Sequence, residues 1–345
     1  MVLAKKIFAK IFAFFVVSKI KKSYANAAQI QIYTLQKLIN KAKKTKFGIE
    51  HQFHKINSVE EYIDKVPIRD YEDIKKYIDE IKKGIKDILW PGKPKYLAKT
   101  SGTTSGVKHI PITNESMPNH ILCSRNALLF YIYETGDTSF LNGKTIFLQG
   151  SPVLDEINGI LVGRLSGIVA HHIPSYLRKN NLPSVKTNSI EDWEEKVNEI
   201  CKETINENMT TIGGIPSWVQ MYFEILLKKS NKKNITELFK SLSLFVYGGV
   251  NFLPYEKIFN KLLGKKINTI EYYPASEGFF AYQNSQKDKS LLLQYNSGIF
   301  YEFIKTNEFE SENYTRYNLT NVEVGVNYIL VVTSNAGLWA YNTGD

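Results

Sequence analysis

Three short segments carry residue types that could handle phosphate, a divalent cation and vicinal hydroxyls. The first is "KTSGTTSGVKHIPIT", Lys99 to Thr113. Its glycines permit tight turns and close backbone approach. The hydroxyls of Thr100, Ser101, Thr103 and Thr104, with exposed amides, can donate to phosphate oxygens. The segment fails the P-loop pattern: Gly102 and Gly106 enclose three residues instead of four, and Lys108 does not directly follow a glycine. A Walker-type nucleoside triphosphatase is therefore disfavoured, and taken alone a Ser/Thr/Gly loop is more often a structural turn.

The second segment is "EYYPASEGFF", Glu271 to Phe280. A strand pattern runs into a Pro-Ala-Ser turn, and Glu277 follows. A carboxylate at a strand end, beside the Ser276 hydroxyl, can hold Mg²⁺, because Mg²⁺ in nucleotide sites needs only one or two carboxylates besides phosphate and water. A helix-starting Ser-Glu pair explains the same residues. The third segment is "YNTGD", Tyr341 to Asp345. An Asp closing such a turn can accept hydrogen bonds from two ribose hydroxyls, while an Asn-Thr-Gly turn capped by Asp is the plainer reading.

The elements that must position these segments fall into two styles. From Ala28 to Lys44, Ile32, Leu35, Leu38, Ile39 and Ala42 recur at helical spacing, with Gly48 beyond as a stop. Ser58 with Glu61 three residues on is a capping-box pattern. Asp70 opens a further helix with Ile74, Ile78 and Ile81 on its apolar side. After this front third the pattern changes. The β-branched and aromatic runs "KTIFLQG", "SLFVYGG", "NTIEYY", "GIFYEFI" and "NYILVVT" alternate with the helical stretches "SWVQMYFEILLKK" and "PYEKIFNKLLG". Strand, turn and helix in repetition predict an α/β fold, with ligands at the strand ends. The polar, acidic stretch "NEFESENYTRYNLTNVEVG" reads as a surface excursion between strands.

Composition narrows the function classes. The 345 residues are 43% apolar and 23% charged, as in a soluble globular protein. The net charge of +10 attracts anions, and much of it sits at the front, in Lys5, Lys6, Lys10, Lys19, Lys21, Lys22, Lys41, Lys43, Lys44 and Lys46. There is no basic stripe interleaved with aromatics, so nucleic acid is not expected as a partner. Two cysteines, Cys123 and Cys201, without paired spacing suit a reducing compartment, here the cytoplasm. They have no neighbouring histidine signature for a nucleophile. The opening stretch is apolar but interrupted by Lys10, and Lys19, Lys21 and Lys22 separate it from Ala25-Asn26-Ala27. It reads as an amphipathic helix, too short and charged to span a bilayer, that can touch a membrane surface. His171-His172 lacks a third ligand and reads as structural. Trp218, Tyr222 and Phe223 at helical spacing read as core, with the helix start bordering a pocket.

Together the three segments are far more specific than apart. Their order and spacing resemble the nucleotide motifs of the adenylate-forming superfamily: a Ser/Thr/Gly phosphate loop, a Tyr-x-x-Ser/Thr-Glu turn and a Tyr-x-x-Gly-Asp turn. Within it the chain resembles the Gretchen Hagen family of acyl acid amido synthetases, the auxin-responsive promoter family, in "ILWPGKPKYLAKTSGTTSGVKHIPIT", "VYGGVNF", "YYPASEGFF", "GIFYEF" and "SNAGLWAYNTGD". The resemblance implies an α/β large N-terminal domain, its mixed sheets flanked by helices, with a helical lead-in over residues 1–90 and the nucleotide- and acyl-binding part over 91–345. It implies activation of a carboxylic acid with MgATP to an acyl-adenylate, then transfer to an amine such as that of an amino acid, by a monomer.

Carried over by position, Ser101, Gly102, Thr103, Thr104 and Ser105 would wrap the phosphates, with Lys108 nearby. Ser276 would bond the phosphates, Glu277 would hold Mg²⁺, Tyr273 would lie against adenine or the acyl group, and Asp345 would bind ribose. Gly248, Gly249 and Val250 would border adenine. Of these, Ser101, Thr103, Thr104 and Glu277 would act on the reacting groups. Pro274 and Ala275 occupy positions that vary among relatives. Superfamily members continue past the ribose-binding Asp into a small C-terminal domain, so a chain stopping at Asp345 is expected to lack it and to turn over poorly. An acyl- or aryl-CoA ligase would share the adenylation and differ in acceptor, and a noncatalytic relic would keep the nucleotide pocket alone.

Overall fold

The helix signals at the front of the chain act through their caps. The computed structural model describes residues 2–101, 106–173, 178–309 and 314–344. In it α1 (Val2–Lys22) and α2 (Ala27–Ala42) precede three shorter helices, α3 (Lys46–Glu50), α4 (Val59–Lys65) and α5 (Tyr71–Lys82). Asp70 Oδ1 accepts from Asp73 N at 3.1 Å and Asp73 Oδ2 from Asp70 N at 3.0 Å, so two otherwise orphaned amides are satisfied reciprocally. At α4 only half of that box forms. Ser58 Oγ accepts from Glu61 N, while the Glu61 carboxylate accepts from Asn57 N at 2.6 Å. Gly48 does not stop α2. It lies inside α3, where a Cβ would come within 2.2 Å of the Ala42 carbonyl oxygen, so a side chain there would drive α3 away from the end of α2.

α1 forms, but it is apolar on two faces instead of one. Ala13 and Val17 are buried against α6 (Met117–Thr135), whereas Phe8, Phe14 and Phe15 are exposed. The segregated amphipathic helix read from the sequence is corrected to this extent.

Three sheets follow. The first has the order β2-β1-β5-β4, from β1 (Tyr96–Ser101), β2 (Val107–Ile112), β4 (Asp155–Ile157) and β5 (Ile160–Gly163). The second has the order β11-β10-β9-β8-β7-β3-β6. Its strands are β3 (Lys144–Leu148), β6 (Asn181–Leu182), β7 (Met209–Gly214), β8 (Leu244–Gly248), β9 (Asn268–Pro274), β10 (Phe279–Gln283) and β11 (Leu291–Leu293). From β6 to β9 every neighbouring pair is parallel, and β10 and β11 add antiparallel strands at the far edge. The chain between these strands supplies α7 (Leu165–Ala170), α8 (Val185–Asn188), α9 (Trp193–Thr204), α10 (Pro216–Ser230), α11 (Ile235–Leu238) and α12 (Leu253–Leu263).

Alternation along β8 divides its side chains between two cores. Phe245 and Tyr247 pack with residues of α9, α10 and α12, whereas Leu244 packs with Ile270 of β9 and with residues of α1 and α6. A sheet buried on both faces requires the near-continuous apolar runs seen in the sequence.

The third sheet, β12 (Ile299–Lys305), β13 (Tyr328–Ser334) and β14 (Tyr341–Asn342), is antiparallel and carries the front helices. Gln31 of α2 ties them together: its Nε2 donates to Tyr295 O and Ile299 O at 2.7 Å each, and its Oε1 accepts from Tyr301 N at 2.8 Å. The stretch between β12 and β13 begins with α13 (Thr306–Phe309) and is not wholly a solvated excursion. Arg316 within it is buried and donates through Nε and Nη2 to the two carboxylate oxygens of buried Glu302 at 2.8 Å each, and through Nη1 to Val66 O at 2.6 Å.

Candidate active site

The strand ends meet around a cavity of about 660 Å³ lined by Thr100, Lys108, Leu165, Gly249, Val250, residues 271–277, Leu291 and Thr343. The size lies within the usual range for a small-molecule site. Each of the three segments singled out from the sequence reaches it.

The first segment arrives as an antiparallel pair. Thr100 of β1 faces Lys108 of β2 and Ser101 faces Val107. Thr100 and Lys108 line the cavity, and Lys108 Nζ lies 5.7 Å from the centre of the Tyr71 ring. Gly102, Thr103, Thr104 and Ser105 lie outside the described residues, as does Asp345; of Ser101 only the backbone is described.

The second segment is a hairpin, not a helix start. β9 pairs with β10, Pro274 opposite Phe279, and the turn is closed by Ala275 N donating to Gly278 O at 2.8 Å and Gly278 N to Ala275 O at 3.3 Å. Ser276 and Glu277 therefore occupy its tip, both part-exposed and both on the cavity. Tyr273 lines it too, its ring edge-on to Phe280 at 5.3 Å between centres.

The third segment comes in on β14. Tyr341 pairs with Val332 and bridges to Arg69, and Thr343 reaches the cavity while its Oγ1 donates to Leu330 O at 3.1 Å. The Tyr341 hydroxyl is held protonated well above the usual tyrosine range, first by burial and then by the nearby Glu277 and Asp70 carboxylates. The Glu277 turn and the β14 segment are thus close enough to interact electrostatically.

The wall between them is the end of β8. Gly248 is paired with Tyr272, and a Cβ on it would come 2.5 Å from the Tyr272 carbonyl oxygen. Gly249 follows at φ +83°, a conformation that favours glycine, and with Val250 it lines the cavity; Gly248 is not on the lining. Glu271 is a lining carboxylate that the sequence reading did not single out. Tyr247 Oη donates to it at 3.0 Å, and burial together with that carboxylate raises the tyrosine's pKa strongly. Period-2 alternation from Tyr273 back to Glu271 was the available signal.

Other candidates settle into structural places. Cys123 and Cys201 are free and buried, and burial pushes their thiols up to about 12 and about 11, far from nucleophilic ionisation. His171 and His172 engage Pro152 O and Tyr96 Oη through Nε2. Tyr222 and Phe223 are core, and Trp218 lies against Trp193 at 4.7 Å between ring centres; none of the three lines the cavity.

Comparison with known proteins then fixes the family. Residues 16–189 match the GH3 family N-terminal domain and residues 292–345 the GH3 family central domain. The chain belongs to the GH3 family. The resemblance to the Gretchen Hagen family is borne out by these matches, which together take in the first and third segments; the Glu277 turn lies between them.

Solved structures agree on the fold. AtGH3.15 acyl acid amido synthetase in complex with 2,4-DB has a TM-score of 0.78 at 18% identity, over 95% of this chain and 66% of that one. A second GH3.15 acyl acid amido synthetase structure gives 0.74 at 16%, over 94% and 67%. A 2-hydroxyisobutyryl-CoA ligase in the postadenylation state gives 0.61 at 12%, over 93% and 63%. The GH3 chain described here thus spans about two thirds of the length of these proteins. The expected mixed-sheet α/β architecture with a helical front is the one they share. No curated protein matches its sequence. No helix among its described residues is long and apolar enough to cross a membrane.

Proposed function

We propose that this chain joins a carboxylic acid to an amine, such as that of an amino acid, through an acyl-adenylate made from MgATP, as a cytoplasmic monomer. The observation that supports this reading is the meeting of Thr100, Lys108, Gly249, Val250, Tyr273, Ser276, Glu277 and Thr343 around one cavity in a chain of the GH3 family. In the first step a carboxylate oxygen bonds to the α-phosphorus of ATP while the bond to the bridging oxygen breaks and pyrophosphate leaves. In the second the amine nitrogen bonds to the acyl carbon, AMP leaves, and the nitrogen gives up a proton.

The first step gathers anions, so its site must supply donors and positive charge. Ser101, Gly102, Thr103, Thr104 and Ser105 wrap the phosphates in this reading, Ser276 donates to them, and Lys108 adds a cation. Gly249 and Val250 wall the adenine, Tyr273 lies against it or the acyl group, and Asp345 takes the ribose hydroxyls. Mg²⁺ fits the donor set. Glu277 offers a hard oxygen beside Ser276, and among the described residues no group of three or more His, Cys, Asp or Glu could hold a cation unaided. When bound, it would take its remaining ligands from phosphate and water. When bound, Mg²⁺ offsets the charge that develops on the phosphates.

The test supplies MgATP with a panel of aryl and aliphatic acids and measures pyrophosphate release with hydroxylamine, amino acids or coenzyme A as acceptor, alongside binding of a nonhydrolysable acyl-adenylate analogue. Acid-dependent release with amide product supports the reading. Release that yields product with coenzyme A alone overturns the amide step, and failure to bind the analogue or ATP overturns the adenylation.

A further inference from the structure

α1 carries Ile7, Phe8, Ile11, Phe12, Phe14 and Phe15 on its uncovered side, each between 37% and 69% exposed. Their spacing places them on one broad face at helical periodicity. Phe8 and Phe12 stack with ring centres 6.0 Å apart, and Phe14 stacks on Tyr133 of α6 at 6.3 Å, which extends the face onto the neighbouring helix. The opposite side of α1 already anchors the helix, since Ala13 and Val17 are fully buried. Packing therefore does not explain the aromatics, and a contiguous exposed patch of this kind marks an interaction surface.

The charge around the face says what it meets. The first 49 residues contain eleven lysines and no acidic residue, against a net charge of +10 for the whole chain, so everything after them is close to neutral. At 3.6 residues per turn Lys10 and Lys21 fall along one border of the apolar face and Lys5 and Lys19 along the other. Lys21 Nζ lies 4.6 Å over the Tyr133 ring of α6, and Lys5 Nζ donates to Leu141 O, beyond the end of α6, at 2.9 Å. An aromatic face bordered by cations, on a helix that itself carries no carboxylate, is complementary to an anionic lipid surface.

We infer that α1 docks the protein onto membranes containing anionic lipid, lying in the headgroup layer with its Phe face toward the acyl chains. The inference is independent of the reaction proposed above. It is tested by co-sedimentation with phosphatidylcholine vesicles with and without phosphatidylglycerol, over a range of salt. The chain should pellet with the anionic vesicles, less so as salt rises, and scarcely with the neutral ones. Phe8→Ser with Phe15→Ser should lower the partition coefficient by at least about tenfold, and Lys10→Glu with Lys19→Glu should lower it as well. Both pairs are surface changes, so unchanged circular dichroism separates lost docking from lost folding. Equal binding of the Phe variant, or equal binding to neutral and anionic vesicles, overturns the inference. So does a wild-type dimer in light scattering that the Phe variant converts to monomer without any vesicle binding, which would assign the face to a second copy of the chain.

Discussion

Glu277 stands at the tip of the β9–β10 turn, with Ser276 beside it and the Tyr341 hydroxyl within its field. In the proposed reaction it is the protein's carboxylate for Mg²⁺, so Glu277→Ala should reduce Mg²⁺-dependent turnover by about 10²–10³-fold and weaken Mg²⁺-dependent nucleotide binding while the melting temperature stays near that of the parent. Near-normal turnover would remove Glu277 from that role. His120 supports a prediction of another kind. It is buried on α6, its Nδ1 has no partner among the described residues, and burial lowers its pKa to about 4. The unfolded chain takes up this proton near pH 6.5 and the folded one only near 4, so folding stability is lost as pH falls through that window, by roughly 3 kcal/mol in all. His120→Leu should flatten that part of the stability profile measured by urea titration at pH 7 and pH 4.5; an unchanged slope would contradict the assignment. Glu277 was legible in the sequence because its turn residues are local. Glu271 was signalled only by its period-2 spacing from Tyr273, because its tie to Tyr247 comes from a separate strand.

At the scale of elements, two contacts are tight enough to predict cost. Gly248→Ala would place a Cβ against the Tyr272 carbonyl and push β8 from β9. We expect a loss of ~1–3 kcal/mol in urea unfolding, together with weaker binding of the acyl-adenylate analogue, since the same strand end walls the cavity. Arg316→Met would leave the buried Glu302 carboxylate without its cation, at a cost of roughly 3–5 kcal/mol, and adding Glu302→Gln should recover part of it. Loss confined to the first few tenths would show that the pair is not needed. The strands and long helices were readable because their periodicity and caps are local signals, as at Asp70. Gly48 and Arg316 misled for the same reason: a glycine read as a stop is a close contact between α2 and α3, and a polar stretch read as solvated hides one buried guanidinium.

For the whole molecule, strand alternation and repetition announced an α/β fold, but not the division into three sheets, the antiparallel edge of the large one, or the docking of the front helices on β12. Those depend on pairings between residues far apart in the chain, such as Gln31 with Tyr295, Ile299 and Tyr301. The site was legible as three segments, and their meeting around one cavity emerges only from the fold. The most direct test of the account is acid-dependent formation of an acyl-adenylate, followed by mass spectrometry in MgATP with a panel of acids. The account predicts an acyl-AMP species and equimolar pyrophosphate, the formation of both falling by about 10²–10³-fold in Glu277→Ala. An active chain that releases pyrophosphate without acid, or forms acyl-AMP as well with Glu277→Ala as without it, would contradict it.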